Sequence, residues 1–295
     1  MSYKSIAICC LSICILMSCG KKASKAKLKT IENIKTPGLE LVWETDSVLT
    51  TCESVLYDKE AHVIYVSNIN NNPWQKDGNG FISTMNTNGE IIRLKWIEGL
   101  NAPKGMGISK GKLYVNDIDE IVEIDIKEQH ILNRYKVGGN PQLNDITVAD
   151  NGMVFSSGSG TSIIYKLENG NISEVVKVGE GRLNGLLAQK EGLYFIDSGN
   201  HNFGHYDFKD NRIKILTEDI GHGDGIVRLE NDDFIVSNWK GEVYYIFAEN
   251  WTKTKLLDTK DQSVYAADID YIPETKTLLV PTFFHNRVMA YRVNN

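Results

Sequence analysis

The residues best placed for chemistry recur in one short pattern: Lys104-Gly105-Met106, Asn144-Asp145-Ile146, Asn184-Gly185-Leu186 and Asp224-Gly225-Ile226. Successive copies stand 40 residues apart (144 − 104, 184 − 144, 224 − 184). Glu53-Ser54-Val55 lies 51 residues before the first (104 − 53), and Asp268-Ile269-Asp270 lies 44 after the last (268 − 224). A fixed period of this length marks a repeat architecture, and six repeats bring six equivalent positions to one place. The resulting ring reads Glu53, Lys104, Asn144, Asn184, Asp224, Asp268. Three carboxylates and two amides facing one small volume repel one another unless a cation sits among them. A hard cation with oxygen ligands meets that need; Ca²⁺ fits best, with Mg²⁺, Mn²⁺ and Zn²⁺ as alternatives. Lys104 works the other way, since its ammonium could neutralise the ring by pairing with Glu53 or Asp268. A water-filled channel with a merely polar rim is the competing reading.

Each repeat carries the strands needed to hold its polar residue. About nine to eleven residues after each marker comes a β-branched or aromatic run, among them Val63–Val66, Leu113–Val115, Leu193–Phe195, Phe234–Val236 and Leu278–Val280. Turn chemistry such as Asp150-Asn151-Gly152 and Lys190-Glu191-Gly192 separates marker from run. A third strand follows, as at Val243–Ile246 or Val288–Tyr291, and a more polar fourth, as at Ile91–Trp96 or Ile213–Leu216. No ten-residue segment shows helical period with caps. Four strands per unit of roughly 40 residues is a β-propeller blade, so the chain is all-β, a six-bladed β-propeller with four strands per blade. A sandwich of short strands would not repeat one marked residue at a fixed interval. The sixth unit ends after its third strand, and Leu39–Trp43 at the other end supplies the missing fourth, which closes the ring without an open edge.

Upstream of the propeller, residues 1–18 hold one charge, Lys4, and an apolar stretch from Ile6 to Met17, too short to span a bilayer and suited to export as a signal peptide. Leu16-Met17-Ser18-Cys19-Gly20 resembles the lipobox of bacterial lipoproteins, which implies lipidation of Cys19. Residues 19–38 are rich in lysine, with Glu32 the one acid, and read as a flexible basic tether. Residues 39–295 then form the propeller. The expected setting is the bacterial cell envelope, with a lipid anchor and the domain facing the periplasm. Of five cysteines only Cys52 remains in the folded domain, so no intramolecular disulfide is available, and its thiol is expected to be core. Loss of Lys4 takes the formal charge from −6 to −7, which argues against nucleic acid as a partner. The remaining length suits one propeller, expected as a monomer. Among the histidines, His201, His205 and His285 suit no metal motif, with His201 and His205 placed in a loop; His222, two residues before Asp224, is kept as a rim residue.

Four segments in order resemble the gluconolactonase, regucalcin and luciferin-regenerating-enzyme family of six-bladed propellers: Thr51-Cys52-Glu53-Ser54-Val55, Gln142-Leu143-Asn144-Asp145, Arg182-Leu183-Asn184-Gly185-Leu186 and Gly223-Asp224-Gly225. The resemblance implies a divalent metal held by Glu53, Asn184 and Asp224, with Asp224 also the general base and Asn144 contacting substrate. It implies metal-dependent hydrolysis of a lactone or similar small ester. Lys104 would then hold an anionic group of the substrate or stabilise the oxyanion, and Asp268 would join the channel. Gln142 stands where the family has its substrate-gripping arginine, so a sugar-acid lactone loses its usual anchor. Glu, Asn, Asn and Asp together also resemble the calcium site of paraoxonase-type propellers. Blade two, with Ala102-Pro103-Lys104-Gly105-Met106, looks instead like an NHL repeat, and implies the alternative of a non-catalytic scaffold for a sugar, peptide or protein partner.

Overall fold

The computed structural model describes residues 36–294. The leader, Cys19 and the tether up to residue 35 lie outside the described residues. The chain enters through β1 (Gly38–Glu44) and builds blade one from β2 (Cys52–Asp58), β3 (Val63–Asn68), β4 (Gly80–Asn86) and β5 (Ile91–Leu100). Blade two comprises β6 (Pro103–Ser109), β7 (Lys112–Asp117), β8 (Glu120–Asp125) and β9 (His130–Lys136). Blade three follows with β10 (Leu143–Val148), β11 (Val154–Gly158), β12 (Ile163–Glu168) and β13 (Asn171–Lys177). Blade four has β14 (Leu183–Gln189), β15 (Gly192–Asp197), β16 (Asn202–Asp207) and β17 (Arg212–Thr217). Blade five has β18 (Gly223–Arg228), β19 (Phe234–Asn238), β20 (Glu242–Ile246) and β21 (Lys253–Asp258). Blade six has β22 (Asp270–Ile272), β23 (Thr277–Pro281) and β24 (Val288–Asn294), and β1 completes it: the sheet order is β1-β24-β23-β22. Every blade is a four-stranded antiparallel sheet, as the repeat required. Two short 3₁₀ turns, Lys260–Gln262 and Pro273–Thr275, are the helical elements among the described residues.

Closure runs from Gly38↔Asn294 to Glu44↔Met289, with a bulge between Leu41 and Trp43. The bulge sorts the apolar residues of β1. Leu41 and Val42 face solvent, while Leu39 and Trp43 pack onto clusters of blade six with its neighbours. The core is distributed in the same circular way. Each blade-to-blade interface holds its own apolar cluster, for example Val55, Ile64 and Met85 of blade one against Leu279 and Ala290 of blade six, and Phe203 of blade four against Phe234 of blade five. Stability therefore depends on the ring being closed, because every blade buries its faces against two others.

Close approach of the inner strands explains the glycines of the repeating pattern. A Cβ on Gly185 would lie 2.0 Å from the Asp224 carbonyl oxygen, one on Gly225 2.3 Å from the Ile269 amide, and one on Gly105 2.5 Å from Asp145 Cα. The position after the marker is thus the point where neighbouring blades meet backbone to backbone. In blade one this position is Ser54, whose Oγ donates to Asp268 Oδ2 at 2.6 Å.

Candidate functional site

A local irregularity aims each marker residue inward. In blades two to five the ladder between the first two strands skips at the marker, as from Pro103↔Asp117 to Met106↔Val115 and from Gly223↔Asn238 to Ile226↔Val236. Such bulges re-aim side chains, here toward the channel mouth. The backbone N–H groups freed by the skip are recovered by serines of the second strand: Ser54 N donates to Ser67 Oγ, Asp145 N to Ser157 Oγ and Gly225 N to Ser237 Oγ, at 2.8–2.9 Å. The residues that end the second strands pin the loops leading into the markers. Asp117 accepts from the Asn101 and Ala102 amides and Asp197 from the Arg182 amide, while buried Asn68 and Asn238 bond locally.

At the mouth lies a cavity of about 400 Å³ lined by Glu53, Lys104, Asn144, Asn184, His222 and Asp224, with Trp74, Arg182, Ser198, Trp239, Lys240 and Phe283 among its walls. Five of the six ring positions therefore meet as expected, and His222 stands at the exposed rim beside His201, ring centroids 4.9 Å apart. Asp268 does not line this cavity. It lies deeper, facing a second space of about 300 Å³ toward the other end of the channel with Asp145 and Asp270. There it receives the Ser54 hydroxyl and shares a hydrogen bond with Asp145, whose oxygens accept the Ile146 and Leu186 amides. The reason is local: blade six carries Asp268 two residues ahead of its inner strand, where the other markers sit inside theirs.

Lys104 is placed in the cavity wall, yet it pairs with neither Glu53 nor Asp268 among the described residues. Its ammonium donates to the carbonyls of Pro73 (2.7 Å) and Ala102 (3.2 Å) and sits 4.3 Å from the Trp74 ring centroid. Burial lowers its pKa to about 8, against the pull of Glu53 and Asp117. Asn144 donates through Nδ2 to Ser159 Oγ at 3.1 Å, which turns its carbonyl oxygen the other way.

The acceptors of the site are short of donors. Glu53 Oε2, Asn184 Oδ1 and Asp224 Oδ1 are each buried without a hydrogen-bond partner. The Asn184 amide donates to Asp224, and that leaves one oxygen of each unpaired. Burial pushes the Glu53 carboxyl well above the usual carboxylate range, and Asp224 beside it adds to the rise. Asp224 is raised likewise, by burial and then by Asp268. Three unpaired buried oxygens on two strained carboxyls and an amide fit a hard, oxygen-seeking cation. Among the described residues no group of three or more His, Cys, Asp and Glu side chains could hold a metal, and this set, which includes an amide, is consistent with that.

Cys52 is fully buried, as core; its thiol donates to the Arg287 carbonyl, and burial raises it to about 12, so it is inert. His205 belongs to β16 and not to a loop, because a tight turn capped by Asp197 joins β15 to β16. Sequence reasoning missed Arg182, Trp239, Lys240 and Phe283 as cavity residues. Arg182 stands two residues before its marker (184 − 182), the same offset that singled out His222 (224 − 222). The residue after the second strand is the other signal, since Ser198 and Trp239 follow Asp197 and Asn238 directly.

A closed six-bladed propeller with a polar cavity at the heads of its inner strands defines the class of protein. Its fold is that of the gluconolactonase-like propellers. A gluconolactonase from Xanthomonas campestris superposes with a TM-score of 0.67 at 14% identity, over 83% of this chain and 86% of that one. A second solved structure, of a putative gluconolactonase, gives 0.67 at 12% over 88% and 93%. A catalytically inactive virginiamycin B lyase from Staphylococcus aureus, solved with quinupristin, gives 0.61 at 12% over 87% and 99%. No protein-family model matches the sequence, and no curated protein matches it either.

Proposed function

We propose that this chain is a hydrolase that opens a lactone or similar small ester, with a divalent cation held by Glu53, Asn184 and Asp224. The observation that carries the reading is the set of three buried, partnerless oxygens, Glu53 Oε2, Asn184 Oδ1 and Asp224 Oδ1, at one cavity floor. Ca²⁺ suits these ligands best, ahead of Mg²⁺, Mn²⁺ and Zn²⁺. When bound, the cation supplies a Lewis acid for the ester carbonyl. The remaining chemistry belongs to the chain. Asp224, raised in pKa and facing the cavity, takes a proton from the attacking water. The water oxygen bonds to the carbonyl carbon, the ring C–O bond breaks, and the leaving oxygen takes the proton to give the hydroxy acid. Asn144, fixed by Ser159, presents its carbonyl oxygen to a substrate hydroxyl. Lys104 keeps one N–H beyond its two carbonyl bonds for the substrate side, and holds the Trp74 wall in place.

The shared fold with propellers named gluconolactonase and virginiamycin B lyase is in keeping with an enzyme on this scaffold and fixes neither reaction nor substrate. The scaffold reading draws on the aromatic patch of Trp239, Tyr265, Phe283 and the exposed Phe284 beside the mouth. Purified protein should contain one divalent cation and hydrolyse members of a lactone and ester panel in a metal-dependent way, with turnover lost in Asp224→Ala. Metal-free protein whose melting ignores added cation and chelator, and which turns nothing over, returns the cavity to the scaffold reading. We further propose that Cys19 anchors the chain to the envelope, with the propeller a monomer in the periplasm. Cys19→Ser should release the protein from membranes, whereas wild-type protein that fractionates as soluble after export refutes the anchor.

A further inference from the structure

The walls of the cavity carry more positive charge than its floor carries negative. Lys104, Arg182 and Lys240 give +3 and Glu53 and Asp224 give −2, so the ionised lining sums to +1 with His222 neutral, and a divalent cation would raise it to +3. Lys104 is buried while Arg182 and Lys240 stand exposed at the mouth, so the excess positive charge favours entry of a group that carries negative charge. The three cations are not equivalent. Lys104 is 2% exposed and spends two of its three N–H groups on backbone carbonyls. Lys240 lies over Trp239, 4.6 Å from the ring centroid. Arg182, at the open rim, makes a single side-chain hydrogen bond among the described residues, from Nη1 to Gln142 Oε1 at 3.2 Å. Its guanidinium lies 5.3 Å from the Trp74 ring centroid, so the one indole meets both Lys104 of blade two and Arg182 of blade four. Gln142 and Trp74 thus orient a planar donor fork whose other N–H groups are unused.

We infer that Arg182 is the anion-recognising residue of this cavity, and that the ligand carries a carboxylate or phosphate taken bidentately by its free N–H groups while the ligand body lies against Trp74 and Phe283. Arginine suits this task because its fork matches both anions, whereas Lys104 has a single N–H left beyond its two carbonyl bonds. The anchor comes from blade four, through the residue that blade three holds by Gln142. This reading deepens the proposed hydrolase by naming its substrate class, and it rests on that proposal only for turnover.

The test uses paired lactones: a phosphorylated sugar lactone, a lactone bearing a free carboxylate, and a neutral analogue of each. Arg182→Gln should raise KM about 10- to 100-fold for the anionic class that is used and change the neutral analogues by less than about 2-fold, with Arg182→Lys recovering part of the loss. The phosphate and carboxylate arms show which anion is recognised. An equal rise in KM for neutral and anionic members overturns the inference. Binding is followed separately by calorimetry on metal-loaded protein, with gluconate and inorganic phosphate as probes. Wild type should bind one of them about 10-fold or more tightly than Arg182→Gln, with metal affinity unchanged. If wild type binds a probe in this Arg182-dependent way but hydrolyses nothing, the hydrolase reading falls and the anion site stands. If neither probe distinguishes wild type from Arg182→Gln, the anion site falls whatever the turnover.

Discussion

Replacing Asp224 by asparagine probes the cavity floor in two opposite senses. Without a cation, Asp224 and Glu53 burden each other: both are buried, each has an oxygen without a donor, and each raises or is raised by carboxyls nearby. The introduced carboxamide would keep an acceptor for the Asn184 amide while removing one negative charge. A buried, unsatisfied polar group costs about 1–3 kcal/mol, and the new carboxamide N–H gives the unpaired Glu53 oxygen a donor where Asp224 offered only like charge, so relief of about 2 kcal/mol is expected in chelator. For a domain of this size 1 kcal/mol moves Tm by roughly 2–4 °C, so the variant should melt about 4–8 °C above wild type in chelator. With cation the order inverts. At a concentration about 100 times Kd, ligation adds about 2.7 kcal/mol, or roughly 5–11 °C, to wild type and little to the variant. Differential scanning fluorimetry across Ca²⁺, Mg²⁺, Mn²⁺, Zn²⁺ and EDTA reads both effects. A variant that melts below wild type in EDTA, or a wild type indifferent to every cation, refutes the electrostatic account of the floor.

Three other perturbations address the frame. Deleting residues 39–44 removes the strand that closes blade six and the Trp43 ring packed on Gly89, at a cost of at least about 4 kcal/mol, and should lower Tm by roughly 8 °C or more; a chain beginning at Asp46 that melts like the parent disproves closure. Gly185→Ala forces a Cβ to within 2.0 Å of the Asp224 carbonyl oxygen and should destabilise by about 3 kcal/mol or abolish folding, measured by urea denaturation; a near-neutral result would show that blades four and five do not meet there as described. Burial raises Asp270 to about 6 against the opposing hydrogen bonds from the Tyr57 and Tyr271 amides. A raised carboxyl contributes stability that is complete below its ordinary value near 4 and is lost as pH rises through about 6, so Asp270→Asn should flatten the Tm profile between those values by about 2 kcal/mol after allowance for partial exposure. Parallel profiles for wild type and variant would contradict it.

Blade number, strand count and closure were legible because a propeller repeats one unit, and repetition survives where single motifs are weak. The 40-residue interval from Lys104 to Asp224 located four inner strands without ambiguity. Three things were not legible, each for a physical reason. Asp268 shares the period but not the register, since its strand starts only at Asp270, and a two-residue offset moves a side chain along the channel by the height of a whole layer. Lys104 reads as a free cation until the loop that supplies Pro73 and Trp74 is folded over it, and a loop's return path leaves no period. Arg182 lies on the approach to a strand, and what it faces depends on Gln142 one blade away. Periodicity reports strands well and reports the loops between blades poorly, and the recognition surface is made of those loops.

The channel also shows why the two ends of one carboxylate-rich column should be neutralised differently. Glu53 and Asp224 occupy the upper layer, Asp145 and Asp268 the next, and Asp270 lines the lower space with them. Five carboxyls cannot all ionise in so small and dry a volume. In the lower layers every carboxyl has donors: Ser54 for Asp268, the Ile146 and Leu186 amides for Asp145, and the Tyr57 and Tyr271 amides for Asp270. Burial raises Asp268 to about 7, and a proton shared with Asp145 satisfies that pair without any ion. The upper layer has no comparable donors: its one nearby ammonium is turned to Pro73 and Ala102, and three oxygens remain unpaired. A shared proton satisfies the lower pair, whereas the three upper oxygens stay without donors. A cation is therefore expected at Glu53, Asn184 and Asp224 alone, and Asp268→Asn should leave its affinity nearly unchanged while Glu53→Gln weakens it; equal losses in the two variants would place Asp268 back in the coordinating ring.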